Sequence, residues 1–261
     1  MLAHACGIEL IGLPLLDLVS AAQAREFEQM VMLRARRVPL QHLTGRAYFR
    51  YLDLEVGPGV FVPRPETEVM TGWAIDRLRE MIGDRRPLVV ELCAGSGAIA
   101  KAIATELTRV DIHVVELSEE AAGYAARNLA DTLVELHVED MADCLPGLDS
   151  TVDLVIANPP YIPFEAFASV APEARDHDPT VALFSGQDGL DAIRVVTEVA
   201  RRLLRPTGWL VVEHADVQGE SAPAVVAASG AFTAVRDHRD LAGRPRFVTA
   251  VRRSASGRIA L

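Results

Sequence analysis

The chain has 261 residues, half of them apolar and 24% charged, with 18 glycines and 15 prolines. This excludes a disordered or collagen-like chain and leaves room for one ordinary domain plus a small one. Cys6, Cys93 and Cys144 lack CxxC spacing, which argues against a disulfide framework or a Cys-based zinc site, so no metal is expected and a reducing cytoplasm fits best. The net charge of −10 is concentrated in residues 61–150, with 17 Asp and Glu against 8 Lys and Arg. Basic residues form only short clusters (Arg34, Arg36, Arg37; Arg201, Arg202, Arg205), so extensive tracking of a nucleic-acid backbone is disfavoured.

Glu9 and Asp17 interrupt the apolar N-terminus and no Lys or Arg precedes Arg25, unlike a signal peptide. No apolar run approaches the ~18 residues of a membrane span. Apolar positions from Leu15 to Leu33 recur at helical intervals and end in Arg34, Arg36 and Arg37, predicting a helix over 15–37 closed by Pro39. Residues 46–62 alternate loosely and break at Gly57-Pro58-Gly59 before Val60-Phe61-Val62, predicting a small hairpin. Residues 1–62 therefore read as a helical lobe with a hairpin, and 63–261 as the main domain.

From residue 66 helices and strands alternate. The pattern predicts helix 66–82, a link through Asp84 to Pro87, strand 88–92, helix 98–108, strand 111–117, helix 119–130 and strand 134–138. Strand 152–157, helix 188–204, strand 209–213, helix 219–229 and strands 231–236 and 246–252 complete the series. This is the α/β pattern of a doubly wound, Rossmann-like sheet, whose ligand site lies at the carboxyl ends of its strands.

Three motifs sit at those ends. Glu91-Leu-Cys93-Ala94-Gly95-Ser96-Gly97 leaves the first strand and opens a helix. Its glycines permit close backbone approach to a ligand, and the helix start offers free N–H groups. Glu116 ends the next strand, where a carboxylate can accept ribose hydroxyls without choosing between NAD and S-adenosylmethionine. Asn158-Pro159-Pro160-Tyr161 follows the strand ending at Ala157. Two prolines cannot continue a ladder, so the Asn158 amide and Pro159 carbonyl project from a stiff corner beside an aromatic face. Such acceptors suit a planar NH2.

With the acidic Gly loop, Asn158 to Tyr161 resembles the S-adenosylmethionine-dependent methyltransferases that act on exocyclic or amide nitrogen. Pro39 to Gly45, Phe61 to Glu68, Pro172-Glu173, His177 to Pro179, Ala182 to Phe184 and Gly186 to Leu190 extend the resemblance over nearly the whole chain. The whole is similar to the PrmC/HemK family of peptide chain release factor glutamine methyltransferases. The resemblance implies a class I methyltransferase fold and S-adenosylmethionine bound by Glu91, Cys93, Ala94, Gly95, Ser96 and Gly97. Glu116 would bind its ribose, Asp140 and Met141 would flank its adenine, and Asn158 would border it. Asn158, Pro159, Pro160 and Tyr161 would hold the substrate glutamine, with Asn158, Pro159 and Tyr161 carrying the chemistry. Three features depart from the family: Glu116 stands where aspartate is common, Met141 where an aromatic can stand, and the helical lobe is shorter by about a helix.

The expected reaction moves a methyl group from S-adenosylmethionine to the N5 amide nitrogen of the glutamine in the Gly-Gly-Gln motif of release factors. The partner is the release factor, without stable nucleic-acid or membrane binding. Alignment of two reactants supplies as much as ~7 to 11 kcal/mol, against ~0.5 to 1.5 for a neutral hydrogen bond, so orientation dominates and no general base is nominated. The nearest alternative is an exocyclic-amine N-methyltransferase acting on nucleic acid, disfavoured by the acidic charge. An NAD-dependent oxidoreductase rests only on the Gly loop and Glu116, and a non-catalytic binding module on nothing specific.

Overall fold

The computed structural model describes residues 1–83 and 85–254; Asp84 and the end of the expected main domain lie outside the described residues. The N-terminal segment forms helices α1 (Leu2–Ala5), α2 (Ala21–Ala35) and α3 (Leu40–Thr44), with a 3-10 turn over Leu10–Leu15. Helix α2 begins later than its apolar pattern suggests. Ser20 accepts from the Gln23 backbone while the Gln23 side chain accepts from the Ser20 N–H, a reciprocal cap that sets the start. Only Met30 of α2 is buried, and Leu15, Leu18 and Met32 are exposed.

The hairpin is β1 (Arg46–Phe49) and β2 (Leu52–Glu55), turning at Arg50 and Tyr51. Gly57 to Gly59 is not its turn, and Val60 to Val62 is not a strand. Instead Val60 and Val62 tuck under Ala47 and Val56 against Ala121. Asn128 fastens the hairpin to the main body: its Oδ1 accepts from Glu55 N at 2.8 Å, and its Nδ2 donates to Glu55 O at 3.0 Å and Ser96 O at 2.9 Å.

Seven strands form the main sheet: β3 (Leu88–Leu92), β4 (Asp111–Glu116), β5 (Glu135–Val138), β6 (Val152–Ala157), β7 (Leu204–Glu213), β8 (Phe232–Arg239) and β9 (Pro245–Arg252). Their order is β5-β4-β3-β6-β7-β9-β8. The helices are α4 (Pro65–Met81), α5 (Ala98–Glu106), α6 (Glu119–Leu129), α7 (Pro172–Arg175), α8 (Thr180–Leu183), α9 (Asp191–Leu203) and α10 (Ser221–Ala228). Alternating side chains build the two cores. Val89, Leu154 and Val211 meet α4, α5 and α6, whereas Val90, Val155 and Leu210 meet α9 and α10. β9 runs antiparallel to both β7 and β8, which strand periodicity alone does not reveal.

The chain enters the sheet at β3, moves outward to β4 and β5, then returns to β6 on the other side of β3. That reversal opens a crevice at the carboxyl ends of β3 and β6, the place where open α/β sheets bind ligands. Among the described residues no helix is long and apolar enough to cross a membrane.

Candidate active site

Beyond β3 the chain turns through three left-handed residues: Cys93 at φ 59°, Gly95 at φ 56° and Gly97 at φ 76°. Cys93 bears a side-chain cost of order 1 kcal/mol there, a strain that concentrates at ligand-contacting loops. The two glycines do different work. A Cβ on Gly97 would stand 3.1 Å from Leu129 Cδ1, so this residue lets α5 close on α6. A Cβ on Gly95 would meet nothing within 4 Å, because that side of the loop faces the crevice.

Glu116, at the end of β4, braces the loop. Its Oε2 accepts from Gly95 N at 2.7 Å and its Oε1 from Ser118 N at 2.8 Å, with further lone pairs on both oxygens. The cleft here encloses about 780 Å3 with its open mouth included. Val115, Leu117, Met141 and Val181 form much of its wall, and Glu116, Glu139 and Asp140 are its charged groups. Among the described residues no Arg or Lys lines it. Apolar walls with carboxylates suit a nucleoside that carries positive charge, so the residues fit S-adenosylmethionine.

A second cleft adjoins the first, lined by Arg64, Pro159, Tyr161, Ile162, Glu173 and Leu183 among others. Asn158, Phe61 and Ala182 belong to both. Asn158 Nδ2 donates to the Thr67 hydroxyl at 3.2 Å. The corner after it is held from below: Gln218 Nε2 donates to Tyr161 O at 3.0 Å, and Ile162 N donates to Leu183 O at 2.9 Å. Tyr161 turns its hydroxyl to Glu213 Oε1 at 3.3 Å. Burial first, then the Glu213 charge, pushes the Tyr161 pKa far up, so the phenol stays protonated; Tyr161 lines the second cleft.

Of the residues expected at the cofactor, Cys93, Gly95, Glu116, Asp140, Met141 and Asn158 line the first cleft. Glu91 does not: it is buried beneath the loop, where Oε2 accepts from Ala100 N at 2.8 Å in the first turn of α5. Burial pushes its pKa up to about 8. Ala94, Ser96 and Gly97 likewise shape the loop without lining the cleft. Pro160 lines the first cleft and Pro159 the second. The Cys93 thiol, beside Met141 Sδ at 3.6 Å, is driven well above its usual pKa by burial and is no nucleophile.

Sequence reasoning passed over two residues of this site, Thr67 and Glu213. A charged residue closing the apolar run Leu210 to Val212 is the one signal that points to the second. Away from the cleft, His113, Glu135 and His137 converge across β4 and β5, with His113 Nδ1 3.0 Å from His137 Nε2. Most members of the basic clusters are paired within the fold. Arg34 and Arg37 pair with Glu173, Arg201 with Glu198, Arg202 with Asp149 and Arg205 with Asp153.

A doubly wound seven-stranded sheet with an acidic, apolar cleft at its reversal point defines a class I methyltransferase. Residues 89–177 match the methyltransferase domain family, and residues 1–45 match the PrmC N-terminal domain family. The chain belongs to the release factor glutamine methyltransferase family. A release factor glutamine methyltransferase of Streptomyces coelicolor is 55% identical over 222 residues, which cover 85% of this chain and 79% of that one. A 4-amino-L-phenylalanine/4-methylamino-L-phenylalanine methyltransferase of Streptomyces pristinaespiralis is 43% identical over 209 residues, 79% of this chain and 71% of that one. Among solved structures, a methyltransferase from Pyrococcus furiosus superimposes with a TM-score of 0.54 at 17% identity, covering 91% of this chain and 100% of that one.

Proposed function

We propose that this enzyme transfers a methyl group from S-adenosylmethionine to the side-chain amide nitrogen of the glutamine in the Gly-Gly-Gln motif of peptide chain release factors. The observation that carries this reading is the position of Asn158, which borders both clefts. Asn158 is the gate at which a donor in the first cleft and a planar NH2 in the second come together.

S-adenosylmethionine supplies an electrophilic methyl on a sulfonium. Glu116 and Gly95 would hold its nucleoside, with Asp140 and Met141 at the base and Cys93 against the loop. With Nδ2 committed to Thr67, Asn158 offers Oδ1 to one N–H of the acceptor, and the Pro159 carbonyl takes the other. An amide lone pair is delocalised, so fixing both N–H bonds in place is the main assistance the chain can give. The flat Tyr161 ring packs on the carboxamide. The methylated nitrogen loses its extra proton to water, so no side chain is assigned as base.

The helical lobe and hairpin of residues 1–62 are assigned to docking of the release factor, and residues 63–261 to catalysis. Arg34 and Arg37, at the end of α2, reach Glu173 on the wall of the second cleft, so the lobe borders the acceptor's entrance. The Streptomyces pristinaespiralis relative is named for an aromatic amine, also a planar NH2. The deciding assay therefore offers release factor, 4-aminophenylalanine and nucleic acid in parallel with labelled S-adenosylmethionine. One added methyl mass on the Gly-Gly-Gln glutamine is expected. Label in the free amino acid or the nucleic acid alone overturns the proposed acceptor.

A further inference from the structure

We propose that His113, Glu135 and His137 form a binding site for one divalent transition-metal ion, of which zinc fits best, and that the ion ties the edge strand β5 to β4. None of the three residues lines either cleft, so the site stands whichever acceptor the enzyme methylates.

Strand pairing brings the donors together. Among the described residues β5 has β4 as its one neighbour in the sheet, and their parallel register sets His113 beside Glu135 and Val115 beside His137. Alternate residues of a strand share a face, so His113, Glu135 and His137 all stand on one side. Ile112, Val114 and Leu136 take the other side, in the core with α5 and α6. His113 and His137, 24 positions apart in the chain, meet only through this register, which the spacing of the cysteines could not foretell.

The distances suit an ion. His113 Nδ1 stands 3.0 Å from His137 Nε2 and 3.6 Å from Glu135 Oε2, and one donor atom from each of the three lies within 4.8 Å of the other two. A tetrahedral zinc with bonds of ~2.0 to 2.1 Å spaces its donors ~3.3 Å apart, between the two measured values. It also sets the centroids of two imidazoles ~5.2 Å apart. The rings of His113 and His137 are separated by 5.2 Å. Binding asks only that the facing nitrogens part by a few tenths of an ångström.

The donor set narrows the ion. Two imidazoles and one carboxylate hold zinc where a water fills the fourth position. Imidazole favours zinc, copper and nickel, whereas magnesium and calcium take oxygen. The half-buried rings fix two donors, and the Glu135 side chain is 67% exposed, so an ion can enter from solvent and keep its water. The competing arrangement is a plain hydrogen bond between the rings, in which one nitrogen donates to the other. β4 ends in Glu116, and β5 runs on to Glu139 and Asp140, all on the wall of the first cleft. A bound ion would therefore brace the two strands that carry them.

The test takes the full chain without a histidine tag, strips it with EDTA and adds zinc, with bound metal read by elemental analysis, Kd by calorimetry and Tm by thermal melt. Wild type should hold one equivalent of zinc more than the double variant His113→Ala, His137→Ala. Zinc at ~100 times its Kd should raise Tm by ~5 to 10 °C in wild type and not in the double variant. Glu135→Gln, a change at an exposed position, should weaken zinc by at least the ~10-fold that losing an outer partner costs. Cobalt in place of zinc should give the strong visible absorption of a four-coordinate ion, lost in the double variant. Equal zinc in wild type and double variant, or a wild-type Tm that zinc does not move, overturns the proposal and leaves an ordinary hydrogen-bonded pair of rings. If the double variant does not fold, Glu135→Gln decides, and unchanged zinc affinity there overturns the site.

Discussion

Asn158 and Thr67, 91 positions apart in the chain, meet through a single 3.2 Å hydrogen bond that sets the orientation of the amide at the junction of the two clefts. Truncation removes the orienting oxygen together with that one bond. Asn158→Ala is expected to lower kcat on release factor by ~10²-fold or more while the melting temperature stays near wild type. Single-turnover assay beside a thermal melt checks this, and near-wild-type turnover would remove Asn158 from the chemistry.

Glu116 has two tasks, bracing Gly95 and Ser118 and offering lone pairs to the cleft. Glu116→Ala should raise KM for S-adenosylmethionine by ~10-fold or more, the equivalent of one or two lost hydrogen bonds to a charged group. KM for release factor should change little. Initial-rate kinetics with each substrate varied separates the two.

The two glycines of the loop should respond differently. Gly97→Ala places a Cβ against Leu129 at a left-handed φ and is expected to cost ~1 to 3 kcal/mol of stability, read from urea denaturation. Gly95→Ala pays the same left-handed strain but meets no neighbour and extends into the cleft, so beyond that strain its effect should be on KM for S-adenosylmethionine.

Buried Glu91 predicts a pH-dependent stability. Its folded pKa, about 8, lies above the usual 4.5, so between those values the native state keeps a proton that the unfolded chain has released. Stability is therefore full below 4.5 and falls as pH rises towards 8. Glu91→Gln, which still offers an oxygen to Ala100 N–H, should gain on wild type between pH 5 and 8 by on the order of a few kcal/mol. Melting curves at several pH values test it, and a gap that does not widen with pH refutes it.

The parallel strands were legible because burial on both faces leaves near-continuous apolar runs: Leu88–Leu92 and Val152–Ala157 fall where the sequence places them. The lobe was harder. Leu15 and Leu18 continue a helical pattern although both are exposed, and the true start is a polar cap at Ser20. Gly57-Pro58-Gly59 outweighs Arg50-Tyr51 as a turn signal, yet the hairpin turns at Arg50, which adopts φ 52° without being glycine. In the site, residues next to one another in sequence were readable as motifs. Thr67 and Glu213 were not, because each acquires its meaning from partners on other elements.

The antiparallel course of β9 has one more effect. Glu213 at the finish of β7 lies opposite Phe247 near the outset of β9, so the guanidinium of Arg246 arrives beside the reacting end of the sheet. A parallel final strand would have delivered its closing residues there instead. By reversing once, the polypeptide lends a cation from its last strand to a centre otherwise assembled from earlier segments, so removing the chain from Pro245 onward would take that cation away and strip β8 of the strand it pairs with.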